Sequence, residues 1–159
     1  MQKKDIQALA EKSALISDTF SRILGAEAAL DDRGRLAMAC LSLSLDHREA
    51  ILLLVHSGAY PSATALQRPL LEAFVTGAWI DSCAADKDVQ AIIQLKRPPP
   101  KFETMSQQLR KTHAFGSWFE EFRIHYNILG DYAHGHLRQL SRWLGPRSIE
   151  PRYSVVANG

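Results

Sequence analysis

Cysteine is scarce in this chain of 159 residues: there are two, Cys40 and Cys83, too few for the disulfide framework of a small secreted domain. Both fall inside apolar helical patterns, where a free thiol behaves as a small hydrophobe, so both are expected to be reduced core residues. Long apolar runs are missing too. The most apolar stretches, AILLLV and AFVTGAWI, fall well short of the roughly 20 residues that a membrane-spanning helix needs. The opening MQKKDIQALAEKS turns amphipathic without passing through an apolar signal core. The expectation is therefore a soluble cytoplasmic protein with no membrane partner. Charge of one sign is also lacking: 19 basic residues face 17 acidic ones, for a net +2. Nucleic acid could then be met only through a local basic patch, not through bulk electrostatics.

Several chemical fingerprints are absent as well. No GxxxxGK[ST] loop, GxGxxG turn or GxSxG elbow occurs, so nucleotide-binding folds and serine hydrolases have no support and no cofactor is expected. His134 and His136 are two residues apart and diverge on a helix, and His125, Asp131 and His134 share a face poorly. A metal site, which needs convergent ligands at spacings such as H-x-x-x-H, is not expected. There is no internal repeat, no low-complexity tract and no convincing alternation of strand residues.

What is present is helical periodicity. With 46% hydrophobic and 23% charged residues, the composition is that of a globular protein, and the length suits a single domain spanning 1–159. Ile6, Leu9, Leu15, Ile16, Phe20, Ile23 and Leu24 recur at helical intervals. After a polar turn, LDDRGR, a second helix is expected from about Arg35 to His56. It is apolar around much of its circumference, which suggests a central position. HSGAYPS supplies a turn with glycine before and proline after it, and a third helix is expected from about Ser62 to Cys83. So short a turn makes these two helices antiparallel neighbours. Pro98 to Pro100 cannot sit inside a helix and read as a linker between two halves. A short helix through ETMSQQLRKTH and a long one from about Trp118 to Trp143 complete an all-α, antiparallel up-and-down bundle of about five helices, with a helical core over about 35–143.

Two polar constellations stand out. Arg68 and Glu72 are four residues apart, hence neighbours on one helix face, in the otherwise apolar LQRPLLEAFVTGAW. At least one of these charges is expected to be partly buried, and a buried charge must be paired. The pair is either a structural ion pair or an arginine held by Glu72 to bind an anion. The second constellation is in YNILGDYAHGHLRQLSRW. Asn127, Asp131, His134, Arg138 and Arg142 advance by four, three, four and four residues and form one polar stripe. Leu129, Tyr132, Ala133, Leu137, Leu140 and Leu144 form the opposing face. Asp131 lies one turn before His134, where a carboxylate can fix an imidazole tautomer and raise its basicity. That is half of a general-base device, and it is equally the pattern of a solvated outer face.

At LQRPLLEAFVTGAW and YNILGDYAHGHLRQLSR the chain resembles a set of small uncharacterised bacterial helical proteins. They share an Arg-Pro-x-x-Glu helix with a later Gly and Trp, then a helix with Tyr/Asn, an Asp-Tyr pair and His-Gly. These are domains of unknown function, some of whose relatives are similar to the HEPN superfamily of RNA-targeting and defence proteins. The resemblance spans roughly residues 35 to 143. A HEPN-like likeness implies an up-and-down helical bundle, usually a homodimer, with its active groove across the dimer interface. Catalytic members carry an arginine four to six residues before a histidine, a position best matched here by His134. This chain departs from that pattern: the nearest preceding arginine is Arg123, and positions 127–130 read NILG.

Three readings follow. The first is a homodimeric binding or interaction module, in a bacterial defence or stress system, with RNA or protein as partner. The second is a metal-independent ribonuclease in which His134, oriented by Asp131, is the general acid or base and Arg68, Arg138 or Arg142 stabilises the phosphorane charge. The third is structural, with Arg68, Glu72, Asp131 and His134 in one buried network. Candidate catalytic residues are thus His134 and Asp131. The remaining polar cluster comprises Arg68, Glu72, Asn127, Tyr132, Arg138 and Arg142.

Overall fold

A computed structural model describes residues 31–112 and 118–133, together with residues 8, 11–13 and 140. The apolar stripe from Ile6 to Leu24, the positions His134, Arg138 and Arg142, and the tail lie outside the described residues. Among the described residues there are six helices and no strand: α1 (Asp32–His56), α2 (Tyr60–Ala65), α3 (Gln67–Ser82), α4 (Asp86–Ile93), α5 (Phe102–Leu109) and α6 (Trp118–Ala133). The expected all-α class is the observed one. None of these helices is long and apolar enough to cross a membrane.

Three helix boundaries differ from expectation, each for a local reason. α1 begins inside the segment expected to be a polar turn. Asp31 caps it by accepting a 2.8 Å hydrogen bond from the Gly34 amide, which satisfies an otherwise orphaned donor and draws Asp32, Arg33 and Gly34 into the first turn. The helix expected over 62–83 is two helices, because Pro69 offers no N–H to the Ala65 carbonyl and its ring crowds that position. Pro69 instead falls in the first turn of α3, where an amide would lack an intrahelical partner anyway. α4 was not anticipated. Its eight residues are anchored by buried Val89, by an Asp86 ion pair with Arg33 at 2.6 Å, and by an ion pair between Asp88 and Arg97.

α1 ends in a Schellman arrangement. The Gly58 amide donates to Val55 and the Ala59 amide to Leu54, with Gly58 at φ +79°, a conformation open to glycine at little cost. α4 ends with the same two bonds, from Leu95 to Ile92 and from Lys96 to Ala91. There a leucine occupies the left-handed position at φ +55°.

The antiparallel pairing of the two long helices can be read residue by residue. Arg33 donates to the Ile80 carbonyl at 2.5 Å, Gly77 faces Ala37 and Cys40, and the Ser44 hydroxyl donates to the Leu70 carbonyl at 3.2 Å. Residue number rises along α1 as it falls along α3. Gly77 allows this closeness: a Cβ there would stand 3.0 Å from the Ala37 carbonyl and 3.1 Å from Leu41 Cγ. α3, not α1, is the central helix. It buries Leu71, Ala73, Val75, Gly77, Ala78, Trp79 and Ile80, while Leu53 on α1 is 72% exposed.

α5 adds Phe102, Met105 and Leu109 to the core, and the Trp79 indole donates to Gln108 Oε1 at 2.5 Å, fastening α3 to α5. Cys40 and Cys83 are free thiols packed against this core. Burial pushes both thiols above their usual range, so they are poor nucleophiles and behave as the core residues they were expected to be.

Candidate functional site

The amino-terminal half of α3 projects Arg68 and Glu72 from one face, and α6 crosses it there with Tyr126 and Gly130. Arg68 Nε donates to Glu72 Oε1 at 3.0 Å. Arg68 Nη2 donates to the Tyr126 hydroxyl oxygen at 2.8 Å, and that hydroxyl donates to Glu72 Oε1 at 2.7 Å. The three side chains thus close a ring of hydrogen bonds, two of them made by a cation and two of them received by a carboxylate, the class that contributes most per bond.

Tyr126 is pinned from its ring as well. Phe102 stacks on it with centroids 3.8 Å apart and planes 3° from parallel, and Arg68 Cζ lies 4.4 Å from the ring centroid, a cation–π distance. Burial, then Glu72, pushes the Tyr126 hydroxyl up to about 12, with Arg68 opposing. Tyr126 is therefore a proton-retaining donor and not a nucleophile. For Arg68, burial alone would weaken the charge, but the bonds to Glu72 and Tyr126 outweigh it and raise its pKa. The guanidinium is a permanent cation.

Gly130 completes the arrangement by having no side chain. A Cβ at this position would lie 2.4 Å from Arg68 Nη1, so the guanidinium lies flush against the α6 backbone. Two of the five guanidinium N–H donors are used by Glu72 and Tyr126. The other three have no hydrogen-bond partner among the described residues. The Arg68 side chain is 23% exposed and that of Glu72 is 44% exposed, so the ring of bonds is only partly sealed from solvent.

It opens into a groove of about 720 Å³. α3 supplies Arg68, Glu72 and Thr76 to its wall, and α6 supplies Tyr126, Asn127, Gly130 and Asp131. The segment expected to be a plain linker also lines it, through half-buried Pro99 and Pro100, followed by Lys101, Phe102 and Glu103. A second groove of similar size also has Arg68 and Glu72 in its wall, with Ser62, Leu66, Pro69 and Ala133. The ion pair is therefore shared by two concave surfaces.

The structure gathers four of the sequence-derived candidates at this place: Arg68 and Glu72 in the hydrogen-bonded ring, and Asn127 and Asp131 along the wall. Tyr132 is half-buried on α6 and is not among the residues lining the two grooves. His134, Arg138 and Arg142 lie outside the described residues. Sequence reasoning missed Tyr126 as a site residue. Its signal was present, since Tyr126 and Gly130 are one helical turn apart and share a face, but nothing in one sequence says that this face meets Arg68. Among the described residues, no group of three His, Cys, Asp or Glu side chains is placed to hold a metal ion.

Residues 41–158 match a family of unknown function, DUF6988. That span is most of the chain, and the chain belongs to this family. No curated protein and no solved structure matches it.

Proposed function

We propose that this member of a family of unknown function is a binding module whose groove receives an anionic group of a small ligand on Arg68. One observation carries the reading: a guanidinium fixed at Nε and Nη2 by Glu72 and Tyr126 in the wall of a groove. An arginine oriented in advance loses little freedom on binding, which is how a rigid site gains affinity. A cytoplasmic location belongs to the same proposal and is supported by the two free, half-buried cysteines. So does self-association as a homodimer, supported by the HEPN-like resemblance and decided by sedimentation of the full chain.

Charge favours a small ligand over RNA. The groove wall carries Arg68 and Lys101 beside Glu72 and Glu103, so it has no excess of cations where a phosphodiester chain would have to lie. Ribonuclease activity through His134 is the second reading. What favours it is that Arg68 Nη1 lies against Gly130, four residues before His134 in the sequence.

The test is a thermal-shift screen of small carboxylates and phosphates on the wild type and Arg68→Lys. A compound present at about 100 times its Kd stabilises by about 2.7 kcal/mol, and the lysine variant should not respond. Failure of every anion to stabilise the wild type would refute the binding reading. Cleavage of end-labelled RNA in EDTA by the wild type, lost in His134→Ala, would establish the second.

A further inference from the structure

We infer that the groove receives a neutral hydroxyl group of its ligand on the free carboxylate oxygen of Glu72, so that the ligand is a small hydroxylated molecule such as a polyol or a monosaccharide. The inference goes beyond the anion reading and does not rest on it, because it concerns a different atom.

Glu72 uses only one of its two oxygens in the ring of bonds. Arg68 Nε and the Tyr126 hydroxyl both donate to Oε1, at 3.0 Å and 2.7 Å. Oε2 is left with no hydrogen-bond or ionic partner among the described residues. Glu72 is also the more accessible half of the ion pair, its side chain 44% exposed against 23% for Arg68, and it lines the groove. A carboxylate held by two donors at one oxygen and unbonded at the other is an acceptor oriented in advance, which lowers the cost of binding a donor there.

A neutral donor fits this oxygen better than an ammonium. The charge of Glu72 is already offset by Arg68 through a 3.0 Å ion pair, so an ammonium on Oε2 would meet a carboxylate whose guanidinium partner repels it. It would also give up far more hydration than a hydroxyl does. The same groove offers Asn127, exposed on α6, whose amide can both donate to and accept from a hydroxyl. Half-buried Pro99 and Pro100 give the carbon skeleton of such a molecule an apolar contact.

The test is calorimetric titration of the full chain with common monosaccharides and polyols, and with their aldonic and uronic acids, at millimolar concentration. At least one of them should bind. Deoxy, O-methyl and amino forms of each binder then replace its hydroxyls in turn, and at one position all three should bind more weakly by about tenfold or more, the loss of a hydrogen bond to a charged group. Glu72→Gln keeps an oxygen for Arg68 and Tyr126 and puts an amide donor where Oε2 stood, so the folded variant should lose binding by a similar factor. The derivative series is read on the wild type and does not depend on the variant folding. Absence of binding by every hydroxylated compound, deoxy forms that all bind as well as their parents, an amino form that binds more tightly, or undiminished binding by folded Glu72→Gln would overturn the inference. The two readings fail separately. An acid indifferent to its hydroxyls but lost in Arg68→Lys would overturn the hydroxyl site and leave the anion site standing, whereas a neutral sugar bound through Glu72 while no anion binds would do the reverse.

Discussion

Replacing Gly130 by alanine should give opposite results in two backgrounds. Glycine inside a helix is normally a weakness, and Gly→Ala at an unhindered helical site stabilises by about 1 kcal/mol. Here the new methyl would fall 2.4 Å from Arg68 Nη1, closer than non-bonded atoms approach. Arg68 must move, yet it is tied at Nε to Glu72 and at Nη2 to Tyr126. Losing one hydrogen bond to a charged group costs about 1.5–3 kcal/mol. Set against the propensity gain, Gly130→Ala should destabilise the wild type by about 0.5–2 kcal/mol. With Arg68 truncated to alanine the obstacle is gone, and the same substitution should stabilise by up to about 1 kcal/mol. Urea unfolding of the four proteins, followed by circular dichroism, gives this cycle directly. A Gly130→Ala substitution that stabilises both backgrounds equally would show that Arg68 is not held against α6, and the account of the site would fail.

Three further perturbations follow from the same geometry. Tyr126→Phe removes a buried hydroxyl bonded to both charges and should cost about 2 kcal/mol. It should also remove a pH dependence: between pH 10 and about 12 the folded wild type keeps a proton that the unfolded chain releases, so its stability falls as pH rises through that window, by about 1.4 kcal/mol per unit of pKa difference. Unfolding curves at pH 9.5 and above should therefore converge for wild type and variant, and a constant gap would contradict the assignment. Ser106 is 1% exposed, and its hydroxyl has no hydrogen-bond partner among the described residues, so Ser106→Ala should be neutral or stabilising by about 1 kcal/mol; a loss of stability in denaturant would refute this. Gly77→Ala would press a methyl to 3.0 Å from the Ala37 carbonyl and should lower stability by about 1–3 kcal/mol, read as a reduced melting temperature.

Helical class and the antiparallel α1–α3 pair were legible because apolar spacing and a glycine–proline turn are local signals. The centre of the fold was less so. α1 and α3 both look apolar on most sides, and only the packing partners show that Val75 and Ile80 are sealed while Leu53 faces outward. Pro69 was the sequence mark of the break between α2 and α3, outweighed by the strong periodicity around it. α4 was invisible because its eight residues carry little more than one apolar turn. At the site, the Arg68–Glu72 pair followed from charge in an apolar context. Its third member, Tyr126, did not, because it lies 58 residues from Arg68 in sequence and no pattern within one chain links positions so far apart. The triproline segment was recognised as non-helical, but its role as a groove wall depends on where α5 packs against α3.

The central claim is that Arg68 is locked in place by Glu72 and Tyr126 in the wall of the groove. Side-chain ¹⁵N resonances of arginine in the full chain test it most directly. A guanidinium held at Nε by Glu72 and at Nη2 by Tyr126 rotates slowly, so Arg68, identified by its absence in Arg68→Lys, should show a protected Nε–H and separate Nη signals that collapse in Tyr126→Phe. A rapidly exchanging Nε–H and a single averaged Nη signal in the wild type would contradict the account.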